Sequence, residues 1–108
     1  MLELFALADT YLAAARRSGR GRSAEVVVHD GELRQSIIAL TAGSELSEHN
    51  APPASSLQVL RGRLRVTDDA GGTEVPAGVL HLLTHQRHAV VALEDSVFLL
   101  TTVTSVPH

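Results

Sequence analysis

Apolar residues near the start of the chain recur at steps of three and four positions. The positions are Leu4, Leu7 or Ala8, Tyr11 or Leu12, and Ala15. This spacing marks one face of an α-helix and predicts a helix over residues 2–17, ended by Gly19 or Gly21. Because an isolated helix of about four turns is marginal in water, we expect this face to dock on a sheet, either of the same chain or of a partner subunit.

Strand patterns follow the helix along the rest of the chain. Residues 24–29 and 32–40 are β-branched or alternating runs, and Asp30-Gly31 between them is a two-residue hairpin signal. Residues 41–56 form a long irregular stretch. The remaining predicted strands cover residues 57–60, 63–67, 79–84, 88–93 and 96–103, with turns at residues 68–72 and 76–78.

Short strands at regular spacing, separated by glycine and proline turns, indicate an antiparallel sandwich or barrel rather than a parallel βαβ sheet. The predicted fold class is therefore all-β with one N-terminal α-helix. We expect residues 1–23 to form the helix and a hinge, and residues 24–108 to form a single β-barrel domain.

Composition narrows the chemistry open to the chain. It has 108 residues, of which 44% are hydrophobic and 19% charged, and this balance excludes a disordered tail. Cysteine is absent and every basic residue is arginine, which excludes thiolate and lysine nucleophiles. A net charge of -3 gives no field that would attract nucleic acid, and no apolar run approaches the roughly 20 residues of a membrane span. We expect a soluble cytoplasmic protein without nucleic-acid or membrane partners.

Two segments carry a resemblance to a known family. Gly43, His49 and Gly62 match the spacing of the first cupin motif, in which Ala51 takes the position of a second histidine and Ser55 that of a glutamate. The later segment that begins at Gly78 resembles the second motif. There Thr84 replaces a proline, Gln86 replaces a glycine, and His88 arrives one residue early.

The chain thus resembles the small single-domain cupins with RmlC-like jelly rolls, in a subgroup whose metal-binding motifs are degenerate. The resemblance covers most of the chain outside the helix. It implies a double-stranded β-helix, the cupin jelly-roll barrel, behind the N-terminal helix.

The resemblance also implies a candidate metal site. Metal-dependent cupins hold a transition metal with three histidines and a carboxylate, and of these positions the chain retains His49 and His88. Imidazole and carboxylate groups together suit divalent iron, manganese, nickel or zinc. Glu48, Gln58 and His85 are possible additional ligands, although adjacent strand positions face opposite sides. The alternative is that both histidines line a pocket without metal.

The substituted motif positions favour a pocket over a tightly held ion. Ala51 and Ser55 leave space where two ligands would stand, and Leu57 and His85 complete the predicted lining. We expect His49 and His88 to approach each other at this pocket.

Two functions stay open. The first is a small-molecule binding or sensing module with a degenerate metal site and no certain cofactor. The second is a metal-dependent enzyme of dioxygenase, isomerase or decarboxylase type that uses His49 and His88 with a divalent transition metal.

Other patterns bear on assembly and binding. Ile37-Ile38, Val90-Val91 and Leu99-Leu100 are apolar on both strand faces, which predicts a homodimer. Asp68-Asp69 is interpreted as a turn pair, and His81 as a partly exposed strand residue. Two groups of arginines could bind an anion or simply be solvated: Arg16, Arg17, Arg20 and Arg22 at the end of the helix, and Arg61, Arg63 and Arg65 alternating along one strand.

Overall fold

The described part of the protein is built from one helix and two antiparallel sheets. A computed structural model describes residues 1–47, 54–69, 71–83 and 88–104. Within these ranges the elements in chain order are α1 Leu4–Arg17, β1 Arg22–Asp30, β2 Leu33–Leu40, β3 Glu45–Ser47, β4 Ala54–Arg61, β5 Arg63–Asp68, β6 Gly71–Pro76, β7 Leu80–Leu82, β8 Ala89–Ala92 and β9 Ser96–Val103. The predicted all-β class with one leading helix is confirmed.

The strands divide into a five-stranded sheet, in the order β1-β2-β9-β4-β7, and a four-stranded sheet, in the order β3-β8-β5-β6. All pairings are antiparallel. Most neighbours in a sheet are distant in sequence, so long-range pairing determines which side chains meet.

The main core lies between the two sheets. Its largest member is Phe98 of β9, which is fully buried. Strands of both sheets and Leu83, which follows β7, contribute the other members. The strand members are Ile38, Leu40, Leu57, Val59, Leu64, Val66, Val75, Val90 and Ala92. This set defines the inward face of each strand, because side chains two positions apart on a strand point to the same side.

A second apolar cluster joins the helix to the opposite face of the five-stranded sheet. Its buried members are Ala8, Leu12 and Ala15 of α1 with Ile37, Ala39, Leu60 and Val97 of the sheet. The helix therefore docks on the sheet of its own chain. Leu4 and Tyr11 are partly buried against it, whereas Leu7 is only half-buried and lies outside the cluster.

The helix also accounts for strands that are apolar on both faces. Ile38 faces the barrel interior while Ile37 packs under α1, and Leu100 and Leu99 divide in the same way. These pairs therefore bury their outer faces within one chain. The pattern that predicted a homodimer has an intramolecular cause in two of its three examples.

The first hairpin differs from the prediction by one residue. Asp30 pairs with Leu33, so the two-residue loop is Gly31-Glu32 rather than Asp30-Gly31. Gly31 has φ +58°, and glycine at the first loop position is typical of type II′ hairpins.

Two strands lie where the sequence predicted irregular chain or turns. β3 lies inside the stretch 41–56, and β4 begins at Ala54 rather than Leu57. β6 was missed because its glycines and Pro76 are typical of turns. It is the edge strand beside β5, where a proline is tolerated.

Candidate functional site

His88 directly precedes β8. Val90 and Ala92 on this strand belong to the interior core, and His88 precedes them in the same alternation. His88 is only 6% exposed to solvent. The predicted ligand histidine is thus a buried group on the barrel side of the four-stranded sheet.

Ser55 and Leu57 face the same interior from the opposite sheet. Every second residue in this part of β4 is buried, namely Ser55, Leu57 and Val59, whereas the intervening Ser56 and Gln58 are not. The Ser55 carbonyl accepts a hydrogen bond from the Leu83 backbone N–H at 3.0 Å, which fixes this end of the strand. Ser55 and Leu57 therefore lie on the inward face that the predicted pocket requires.

The prediction that Gln58 could be an additional ligand at the interior site is wrong. Gln58 occupies the opposite parity of β4 from Leu57, and its register partners are Leu80 and Leu99 on the outer face. Because Leu99 packs in the helix cluster, Gln58 lies on the helix side of the sheet.

The remaining predicted site residues lie outside the described residues. They are Glu48, His49, Ala51 and His85. The nearest described pair is Ser47 of β3 and Ala89 of β8, which are register partners at the ends of their strands. His88 directly precedes this pair, and the close approach of His49 to His88 stays a prediction.

Asp68 is an interior candidate that the sequence analysis missed. It is the last residue of β5 and half-buried, in phase with the inward-facing Leu64 and Val66. The register of β5 with β8 ends at Thr67 and Ala89, so one further step places Asp68 opposite His88. Side chains directly opposite on neighbouring strands are about 5 Å apart at Cβ. The two-residue alternation of β5 could have identified Asp68 as an inward-facing residue. The turn-like sequence that follows Asp68 obscured this pattern.

His81 is half-buried, as predicted for a strand residue. It pairs with Leu57 and so shares the inward face, at the β7 edge of the five-stranded sheet. In the part of the chain that the structure describes, no three histidine, aspartate or glutamate side chains form a group that could hold a metal ion.

Gly62 of the first motif has a structural role. Its φ of +82° lies in the left-handed region, and a Cβ there would collide with the carbonyl oxygen of Asp95 and with Ser96. The predicted tight junction between two strands is confirmed. Glycine is required because the main chain of β4 and β5 passes directly against the start of β9.

The strand arginines do not share one face. Arg61 ends β4 in the five-stranded sheet, and its guanidinium lies 3.5 Å from Asp9 and 4.7 Å from the ring centre of Phe5. Arg63 and Arg65 belong to β5 in the other sheet, and Arg63 pairs with Glu74 at 3.5 Å. The prediction that these three arginines share one face is therefore wrong, because Gly62 sends the chain into the second sheet.

The helix-end arginines also separate. Arg16 forms an ion pair with Asp95 at 2.9 Å. The hydrogen bond that the Ala42 backbone N–H donates to the Asp95 carboxylate, together with the one from Arg16, holds the pKa of Asp95 below its ordinary value. Asp95 thus ties the end of α1 to the chain that follows β2.

Arg20 and Arg22 instead line a cavity of about 460 Å³ at the open edge of the barrel. We call this the edge cavity, and its lining residues are Arg20, Arg22, Ser23, Ala24, Ile38 and Leu46. It lies between β1 and β2 of one sheet and β3 of the other, where the two sheets are not joined by strand pairing. Its apolar floor reaches the interior core through Ile38 and Leu46.

None of the helices in the described ranges is both long and apolar enough to cross a membrane. The cytoplasmic location stays a prediction.

Solved structures of other proteins share this architecture. A cupin superfamily protein from Desulfitobacterium hafniense has a TM-score of 0.72 at 15% identity, with 78% of this chain and 78% of that chain covered. An RmlC-like cupin from Desulfovibrio desulfuricans has a TM-score of 0.67 at 23% identity, covering 76% of this chain and 81% of that chain. A salicylate 1,2-dioxygenase from Pseudaminobacter salicylatoxidans has a TM-score of 0.77 at 16% identity, covering 91% of this chain but 33% of that chain.

No family model matches the sequence, and no curated protein matches it. At these identities the likeness is one of fold. The chain has the cupin fold, and the double-stranded β-helix that the motifs predicted is confirmed.

Proposed function

We propose that the protein is a cupin-fold binding or sensing module that takes a small molecule at the open edge of its barrel. The observation that carries this proposal is the edge cavity of about 460 Å³. Ligand pockets commonly enclose about 300–1,000 Å³, with a mainly apolar lining and a few polar groups. The edge cavity has this composition, since Ala24, Ile38 and Leu46 are apolar and two arginines stand beside them.

The deeper end of the ligand site would reach the interior near His88. Leu46 of the edge cavity pairs with Val90, which lies two residues beyond His88 on the same inward face. Ser55 and Leu57 face this interior from the other sheet. Ala51 and His85 stay predicted lining residues outside the described ranges.

The experiment is a thermal-shift screen of small carboxylates, sugars and aromatic compounds. A ligand that binds only the folded state raises the melting temperature in proportion to the logarithm of its concentration over Kd. We expect hits on the natural protein that are lost in Ala24→Phe, which would fill the edge cavity. Ala6→Phe is the matched control, because Ala6 is exposed on α1 away from the cavity. A screen without hits, or hits that Ala24→Phe leaves unchanged, contradicts the proposal.

A divalent transition metal at His49 and His88 is the second element of the proposal, as a degenerate site. Imidazole suits iron, nickel and zinc, and the buried position of His88 and the register position of Asp68 favour a polar site here. The described residues do not by themselves provide a complete ligand set. The metal would therefore depend on His49.

Metal analysis separates the binding module from a metal-dependent enzyme. The protein would be purified without chelator or affinity tag, beside His88→Ala and the control His29→Ala, an exposed histidine of β1. For a degenerate site we expect substoichiometric metal that falls further in His88→Ala. Stoichiometric iron, manganese, nickel or zinc that is lost only in His88→Ala would favour the enzyme.

A homodimer is the partner we propose. β7 is the edge strand of the five-stranded sheet, and its Leu80 and Leu82 are 68% and 76% exposed. An exposed apolar edge strand favours association. A second copy of the chain can offer the same edge in return, as two-fold interfaces require.

A further inference from the structure

The rim of the edge cavity carries two arginines, Arg20 and Arg22. The three ion pairs in the described part of the chain use Arg16, Arg61 and Arg63, and neither Arg20 nor Arg22 takes part in them. None of the described residues that line the cavity carries a carboxylate. Among the described residues, therefore, no carboxylate neutralises the guanidinium groups at this rim.

The backbone that carries these arginines is held in a defined conformation. Gly21 between them has φ +69°, and its N–H donates to the Ser18 carbonyl at 3.1 Å. Its carbonyl accepts from the Thr41 N–H at 2.8 Å, and a Cβ at Gly21 would collide with the hydroxyls of Thr41 and Ser44. A fixed turn lowers the entropy that binding would otherwise cost.

The floor of the cavity is apolar and partly uncovered. Ala24 pairs with Ile38 and shares its inward face, yet Ala24 is exposed, and its strand β1 lies at the edge of its sheet. Leu46 is half-buried on the other side of the opening. A ligand that covered these side chains would remove apolar surface from water, which favours binding.

We propose that the edge cavity binds a small carboxylate with an apolar body. The carboxylate would lie at Arg20 and Arg22, because guanidinium groups donate paired hydrogen bonds to planar anions. The apolar body would lie over Ala24, Ile38 and Leu46. This inference rests on the proposed function and deepens it, since it names the chemical class of the ligand and the residues that recognise its charge.

The test is calorimetric titration with phenylbutyrate, with its neutral amide phenylbutyramide and with inorganic phosphate. We expect phenylbutyrate to bind at least about tenfold more tightly than the amide, since a hydrogen bond to a charged group contributes about 1.5–3 kcal/mol. Phosphate alone should bind more weakly than phenylbutyrate, because it leaves the apolar floor uncovered. Raising the salt concentration should weaken the binding of phenylbutyrate and leave the binding of phenylbutyramide unchanged.

Variants assign the effect to residues. Arg22→Gln should lower the affinity for phenylbutyrate about tenfold and leave the affinity for phenylbutyramide unchanged. Arg17→Gln is the matched control, since it removes one positive charge from the same end of α1 without lining the cavity. Both positions are exposed, so both variants should fold.

The outcomes separate this inference from the proposed function. Equal affinity for acid and amide, no effect of Arg22→Gln, or phosphate binding as tightly as phenylbutyrate would overturn the carboxylate inference. In that case hits from the thermal-shift screen that Ala24→Phe abolishes would still support a binding module. If neither phenylbutyrate nor any compound of the screen binds, both proposals fail together.

Discussion

Gly62 carries the main chain from one sheet to the other in a conformation that other residues rarely adopt. Its φ is +82°, and the space where a side chain would begin is occupied by the Asp95 carbonyl and by Ser96. Ser96 cannot easily give way, because its hydroxyl accepts from the Arg63 N–H at 3.0 Å and donates to the Glu94 carbonyl at 2.7 Å. Two separate costs therefore oppose any substitution.

We predict that Gly62→Ala lowers the free energy of unfolding by about 2–5 kcal/mol, the sum of left-handed strain and overpacking. Gly78→Ala is the control, since Gly78 has φ +87° but open space at its Cβ position. Gly78→Ala should lower the free energy of unfolding by about 1–2 kcal/mol, which is the cost of the left-handed conformation alone. Urea denaturation of both variants checks this, and equal losses would mean that the contact with β9 adds nothing.

Asp95 links stability to pH through its lowered pKa. The Ala42 N–H and the Arg16 guanidinium stabilise its charged form in the folded state. A group whose folded pKa is depressed contributes stability above its unfolded pKa and loses that contribution as the pH falls through the folded pKa. We therefore expect Asp95→Asn to be less stable than the natural protein near neutral pH, with the difference shrinking below about pH 4.

Denaturation midpoints at several pH values measure this difference. Glu94→Gln, at the exposed neighbouring carboxylate, is the control and should show no such convergence. A constant difference between Asp95→Asn and the natural protein at every pH would falsify the assignment.

Helix α1 is stable as an element because the five-stranded sheet covers its apolar face. Ala8, Leu12 and Ala15 are buried there, and the hydroxyl of Ser23 donates to the Tyr11 carbonyl at 2.7 Å. Leu12 has the largest side chain of these three buried helix residues. Its side chain packs in the cluster between the helix and the sheet.

We predict that Leu12→Ala lowers the free energy of unfolding by about 2–4 kcal/mol, because it leaves a cavity under the helix. Leu2→Ala makes the same chemical change at a residue that is half-exposed and precedes the helix, and should cost less than about 0.5 kcal/mol. Thermal and urea unfolding compare the two. If Leu12→Ala behaves like Leu2→Ala, the helix does not depend on this contact.

At the scale of the whole molecule, the outer face of the five-stranded sheet is only partly covered by α1. Leu80 and Leu82 of β7 are exposed, and Leu82 borders a small cavity of about 160 Å³ with Thr101 and Val103 of β9. The uncovered apolar surface thus extends from the sheet edge onto its outer face. This surface is where we propose that a second copy binds.

We predict that Leu82→Asp converts a dimer into a monomer without lowering the melting temperature of the isolated chain, since burying an unpaired charge in the interface is costly. Leu93→Asp is the control at another exposed leucine, between β8 and β9. Sedimentation equilibrium gives the oligomeric state of each. A natural protein that is monomeric at all concentrations would contradict the dimer itself.

Local sequence patterns were sufficient to predict several structural features of this protein. The bounds of β9 and the tight junction at Gly62 agree with the prediction, and so does the leading helix apart from its first two residues. Strand periodicity and glycine spacing act over a few neighbouring residues, so they can be identified from the sequence. The motif resemblance then identified the cupin fold, because it added the order of strands that periodicity lacks.

Tertiary structure decided which residues meet. Asp68 ends β5, and His88 directly precedes β8, the strand with which β5 pairs. Arg22 and Leu46 line an opening between the two sheets. The helix buries Ile37 and partly buries Leu99 within the chain. No local pattern encodes such contacts, because they depend on which distant strands become neighbours and on which strand edge is left uncovered.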